Sequence, residues 1–177
     1  ETYHALGNIL EGKYGAGATN VGFEGGYAPP LNETTDALDA LMSAFDASGY
    51  TKEIGIGIDS AATSFYKDGY YVVDGKKLSG GELIDYYADL VNTYPIVFIE
   101  DPFEEEAFED FAAMTARLKN TIIIGDDLYV TNMERLTKGI EMNATNALLL
   151  KLNQIGSVSE AFDTARMAFR NSYTILV

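Results

Sequence analysis

The sequence predicts an α/β protein built on a parallel sheet, either a barrel or a doubly wound fold. Two observations carry that prediction. Short, continuously apolar runs occupy residues 54–58, 96–99, 121–124 and 147–150, with 174–177 as a fifth, and suit parallel strands covered on both faces. Helical patterns separate these runs, and each connection is long enough for one crossover helix.

The elements follow in order. Residues 1–6 read as helix. Leu38, Leu41, Met42 and Phe45 lie at i, i+3, i+4 and i+7, with Thr34 or Thr35 as cap and Gly49 past the end. Asp68-Gly69 and Asp74-Gly75 punctuate β-prone residues, which predicts a small hairpin or meander over 65–75. Ser79 and Glu82 form a capping box ahead of Leu83, Tyr86, Tyr87 and Leu90. Phe108, Phe111, Ala112 and Leu118 predict the next helix, and Asn132 caps one running through Leu136 and Ile140. Ser157 and Glu160 form a second capping box before Phe162, Ala165 and Phe169. The glycines at 15, 17, 25 and 26 mark loops, but match neither a dinucleotide fingerprint nor a phosphate loop.

Composition narrows the function. The 177 residues suffice for one domain with a sizeable core. Twelve basic against 27 acidic residues give a net charge of −15, which argues against a nucleic-acid or anionic-membrane partner. The absence of cysteine removes disulfides and thiolate metal sites. No apolar run approaches the roughly 20 residues of a membrane span, so the expectation is a soluble cytoplasmic domain. Glu1 opens within helical sequence and the chain stops on an apolar strand, so both ends are expected to be cuts.

The chemistry concentrates at the ends of the apolar runs. The first is followed by Asp59, the second by Glu100-Asp101-Pro102, the third by Asp126-Asp127 and the fourth by Lys151. Residues at the carboxyl ends of parallel strands converge on one face of the sheet, the face that holds the active site of a barrel. A single acidic residue there reads as a helix cap or a solvated loop group. Three in succession, followed by lysine, read as a metal site, because unpaired carboxylates repel one another and a hard cation such as Mg²⁺ resolves the repulsion. Asp59, Glu100 and Asp126 are the candidate ligands. Lys151 is either an ion-pair partner of a neighbouring carboxylate or a general base tuned by metal charge and burial, with Asn153 and Gln154 offering further hydrogen bonds. Glu24 is flanked by Gly25-Gly26, which lets the backbone bring its carboxyl close to a ligand, though alone it reads as a solvated loop residue. His4, the sole histidine, reads as structural.

Four stretches resemble the enolase family, in its order and at its spacing: Thr19-Asn-Val-Gly-Phe-Glu24-Gly-Gly-Tyr-Ala-Pro29, Ile99-Glu-Asp-Pro-Phe103, Gly125-Asp-Asp-Leu-Tyr-Val-Thr-Asn132 and Leu148-Leu-Leu-Lys-Leu-Asn-Gln-Ile-Gly156. The resemblance covers essentially the whole chain and has an archaeal cast. It implies a partial (β/α)₈ TIM-type barrel of the enolase superfamily, with residues 1–177 as the central portion of the C-terminal barrel domain. The amino-terminal domain would lie before Glu1 and the last strands, with a second active-site lysine, beyond Val177. It further implies reversible, Mg²⁺-dependent dehydration of 2-phosphoglycerate to phosphoenolpyruvate by the complete protein, a homo-oligomer.

By that resemblance Lys151 abstracts the proton α to the substrate carboxylate and Glu24 is the acid that helps hydroxide leave. Asp59, Glu100 and Asp126 hold Mg²⁺, and Glu100, Asp126 and Lys151 also face the substrate. The isolated chain is expected to be inactive.

Three positions depart from the family pattern. Phe23 stands where an aspartate is usual, Thr63-Ser64-Phe65-Tyr66 replaces Ser-Glu-Phe-Tyr, and Phe98 replaces a small residue. These departures keep two alternatives open: another superfamily lyase, such as one similar to methylaspartate ammonia-lyase, or a non-catalytic scaffold with a weak cation site.

Overall fold

The helical spacing near the amino end produces a packed helix pair. In the computed structural model, which describes residues 1–177, α1 (Thr2–Tyr14) packs against α2 (Thr34–Ser48). Leu10, Ala18 and Ala40 are buried at the centre of this unit, residues 1–55, with Leu6, Tyr14 and Tyr27 packed around them. The cap expected at Thr34 or Thr35 is not used. The chain enters extended at Glu33, whose carbonyl accepts the Asp36 N–H at 3.1 Å, so the main chain itself satisfies that free donor. Gly49 ends α2 in the left-handed conformation as expected.

Between the two helices the chain makes a tight loop. Val21 bridges Tyr27 antiparallel, and Gly22 donates to the Gly26 carbonyl at 2.8 Å. Tyr27 stacks on Tyr3 with ring centroids 4.4 Å apart and lies so close over Gly7 that a Cβ there would meet its hydroxyl at 2.5 Å. The loop is therefore pinned to α1, with Phe23 and Glu24 exposed at its tip.

Residues 56–177 form the second unit. Its strands are β1 (Ile56–Asp59), the meander β2 (Tyr66–Lys67), β3 (Tyr70–Val73) and β4 (Lys76–Leu78), then β5 (Ile96–Glu100), β6 (Ile122–Gly125), β7 (Ala147–Leu149) and β8 (Thr174–Leu176). Its helices are α3 (Gly80–Thr93), α4 (Phe108–Arg117), α5 (Met133–Met142), the short α6 (Leu152–Ile155) and α7 (Val158–Arg170). No helix is long and apolar enough to cross a membrane.

The main sheet has the order β1-β5-β6-β7-β8, and every neighbouring pair is parallel. Chain order and spatial order run the same way across it. A doubly wound sheet reverses direction partway, so the choice left open by the alternation is settled as barrel winding. β1 and β8 remain the two edges, and the barrel is not closed.

The core of this unit lies under the helices. Leu83 and Tyr87 of α3, Phe108, Phe111 and Met114 of α4, and Leu136 of α5 are buried, as are Ile99, Ile123, Ile124 and Leu148 on the strands. Each such large side chain contributes about 1.5–3 kcal/mol by leaving water. The Ser79–Glu82 box forms in both directions, and Asn132 accepts from the N–H groups of Glu134 and Arg135. Phe98 finds its room opposite Gly57, its partner in register on β1. A Cβ at Gly57 would come within 2.0 Å of the ring, so the large residue on β5 is matched by the missing side chain on β1.

Candidate active site

The parallel register sets strand ends beside one another. Asp59 pairs with Glu100, and Glu100 with Ile124, so β1, β5 and β6 deliver their polar residues to one rim. Carboxylate oxygens of Glu100, Asp101 and Asp126 lie within 4.8 Å of one another. Lys151, just past β7, reaches back with its ammonium to Asp126 Oδ2, while Gln154 Nε2 donates to Asp126 Oδ1 at 2.7 Å. The Asp126 carboxylate is buried at 9% side-chain exposure, whereas Lys151 keeps 44%, so the pair sits at the mouth of the rim.

Asp101 is the residue that reading the sequence left without a role. It is buried, adopts a positive φ of 40° and accepts two backbone bonds, from Asp126 N–H at 3.0 Å and Asp127 N–H at 2.8 Å. Its carboxyl is thus a brace that fixes the turn carrying Asp126. Asp59 lies outside the tightest group, and its Oδ1 accepts the Ala61 N–H at 3.1 Å. Glu24 sits in the other unit, exposed on its loop. Asn153 is exposed.

Backbone strain gathers at the same rim. Ala61, Asp101, Val130 and Thr131 all have φ between 40° and 54°. For β-branched Val130 and Thr131 this conformation costs of order 1–3 kcal/mol each and persists only where surrounding bonds impose it. Arg135 imposes part of it. Its guanidinium donates to the Leu128 and Glu105 carbonyls and to Glu106, each at 2.6 Å, which ties together the loops that follow β5 and β6. Thr63 adds another tie, accepting the Glu105 N–H at 3.1 Å, so the residue beside Ser64 supports the loop through its hydroxyl.

The electrostatics follow from burial. Desolvation pushes the Glu100 carboxyl from 4.5 up to about 7, helped by the charges of Asp59, Asp101 and Asp126 and opposed by Lys151. Desolvation likewise pushes Asp101 from 3.8 up to about 7 against the pull of its two N–H donors. The hydrogen bond to Asp126 raises Lys151 above the ordinary lysine value, opposite to the lowering that a base tuned by metal charge requires. One lysine does not compensate this concentration of acid, and the donors are hard oxygens close enough to share one ion. Residues of this kind fit a hard divalent cation.

The raised carboxyls predict a stability profile. A folded-state pKa above the unfolded value means the native protein holds its protons more tightly. That stabilisation is complete below about pH 4 and lost as pH rises through about 7. Every tenfold gain in proton affinity is worth roughly 1.4 kcal/mol, discounted at Glu100 for the solvent it keeps. In chelator, the thermal midpoint is expected to fall between pH 4.5 and 7.5, and Glu100→Gln to flatten the slope. An unchanged slope in that variant would remove Glu100 as the cause.

A barrel-type β/α sheet with carboxylates and a lysine on the carboxyl rim of consecutive strands defines a family of barrel proteins whose chemistry sits at strand ends. The chain belongs to the enolase family: the family described as enolase, C-terminal TIM barrel domain, matches residues 1–177. The enolase of Methanothrix thermoacetophila is 70% identical over 177 residues, and that of Methanococcoides burtonii 64% over 178. The enolase of Methanocaldococcus jannaschii is 58% identical over 177 residues. Each alignment takes in 100% of this chain but 42% of the relative, so the chain spans less than half the length of the curated proteins it matches.

Proposed function

We propose that the complete protein reversibly dehydrates 2-phosphoglycerate to phosphoenolpyruvate with Mg²⁺, residues 1–177 forming the central part of its barrel domain. The observation that carries this reading is the gathering of Glu100, Asp126 and Lys151 from three successive strands in a chain of the enolase family.

Lys151 Nζ takes the proton α to the substrate carboxylate. Glu24 in its acid form protonates the departing β-hydroxyl, so the C–H electron pair becomes the new C=C bond and water leaves. Asp59, Glu100 and Asp126 would hold the cation, which would supply positive charge against the second negative charge that develops on the substrate carboxylate. Glu100, Asp126 and Lys151 orient the substrate at the rim. The enzyme acts as a cytoplasmic homo-oligomer.

The full-length protein is expected to convert 2-phosphoglycerate to phosphoenolpyruvate, read by product absorbance, and to stop when the cation is chelated. Turnover that survives chelation would sink the cation's role. No dehydration at saturating Mg²⁺ would sink the reaction itself.

A further inference from the structure

Lys151 is held at both ends by one closed ring of bonds. Its backbone N–H lies just past the sheet, where Leu150 is the last residue to bond β8, through the Leu176 carbonyl at 2.8 Å. The Lys151 N–H instead donates to Thr131 Oγ1 at 2.9 Å. The same hydroxyl donates to Gln154 Oε1 at 2.9 Å, and Gln154 Nε2 donates to Asp126 Oδ1 at 2.7 Å. Asp126 Oδ2 then accepts from Lys151 Nζ and closes the ring.

Every donor in this ring has one acceptor that suits it. A carboxylate only accepts, so Gln154 must present its NH₂ to Asp126 and its oxygen to Thr131. Thr131 in turn must donate to Gln154 and accept from Lys151. Flipping the Gln154 amide would set its oxygen against the Asp126 carboxylate, acceptor against acceptor. The sequence around Thr131 is spent on this aim. Thr131 is fully buried, lies with Val130 in the left-handed region, and has its carbonyl fastened by the Thr164 hydroxyl of α7 at 2.9 Å. A β-branched pair does not take that backbone conformation without need.

We infer that Thr131 and Gln154 are positioning residues that set where the Lys151 amine stands. Thr131 anchors the base of the side chain, and Gln154 orients the carboxylate that holds its tip. A lysine stem has four rotatable bonds, and a base must stand within hydrogen-bond reach of the proton it removes. Resting on the proposed dehydration, this assigns the accuracy of proton abstraction to a buried hydroxyl that bonds the Lys151 backbone and Gln154 rather than the amine itself.

The test uses the full-length protein with Thr131→Val, which keeps the shape and loses the hydroxyl, and Thr131→Ser, which keeps the hydroxyl. Thr131→Val is expected to lower kcat about 10- to 100-fold with KM nearly unchanged. It should also enlarge the isotope effect on 2-phosphoglycerate deuterated at the α-carbon, because abstraction by a misplaced base becomes limiting. Thr131→Ser should restore both.

A second readout needs no turnover. Acetic anhydride labelling of Lys151, followed by peptide mass spectrometry, should speed up in Thr131→Val and Gln154→Leu and return to the parent rate in Thr131→Ser. Faster labelling in these two variants of a parent protein that does not dehydrate the substrate would uphold the positioning and sink the proposed reaction. Thr131→Val with unchanged isotope effect and unchanged labelling would overturn the inference, whatever its melting temperature.

Discussion

Lys151→Ala is expected to lower the dehydration rate of the full-length protein by about 10³-fold or more while leaving the protein folded. Removing a general base typically forfeits 10²–10⁴-fold. The fold should tolerate the change, because the lysine head is only half-buried and Asp126 keeps its bond from Gln154. Two measurements check it. Product formation should fall to near background, and exchange of the α-proton with deuterated water should stop with it. Exchange that continues at the parent rate would mean another group removes the proton. A variant retaining a tenth of the parent activity would end the assignment of Lys151 as base.

Asp126→Asn is expected to weaken Mg²⁺ binding at least about 100-fold by calorimetry, the upper end of what even groups behind the ligands contribute. Its effect exceeds the loss of one charge. Asp126 receives Lys151 on one oxygen and Gln154 on the other, so the NH₂ of an asparagine must face a donor whichever way it turns. The substitution therefore removes a ligand and dismantles the ring around Lys151 together. Unchanged binding would take Asp126 out of the ligand set. Asp59→Asn belongs in the same experiment, because Asp59 stands outside the tightest carboxylate group. A parallel loss of affinity would keep it as a ligand, and unaltered affinity would reassign it to its bond with Ala61.

Much of this is legible in the amino-acid sequence. The apolar runs, the capping boxes and the polar residue after each run announce β/α units and the rim on which Glu100, Asp126 and Lys151 meet. The winding was not legible: the same alternation suits a barrel or a doubly wound sheet, and the strand order decides it.

Three particulars of the site also stayed hidden. Asp101 follows Glu100 in sequence and looks equally available. Only the fold shows that its oxygens face the N–H groups of Asp126 and Asp127. Thr131 carries no signal, since nothing in a run of Val-Thr announces a left-handed backbone that the residues themselves disfavour. Asp59 and Asp126 look alike at their strand ends, and the register and turns that separate them form only when the strands pair. Glu24 was visible as the residue ahead of Gly25-Gly26, in a loop closed by the Gly22–Gly26 bond.

Each strand of the main sheet bonds the one before it, and α3, α4, α5 and α7 likewise touch in succession. During synthesis this order matters. A strand leaving the ribosome finds its partner already made, and its helix lands on the preceding helix within seconds of emerging. Each new strand pairs with the one made just before it, so the loop-closure penalty at each step stays small. What each step leaves open is the newest edge. At any moment the newest strand, like β1 at the other edge, shows unpaired backbone groups, and the chain is exposed there to mispairing with a neighbour on the same polysome.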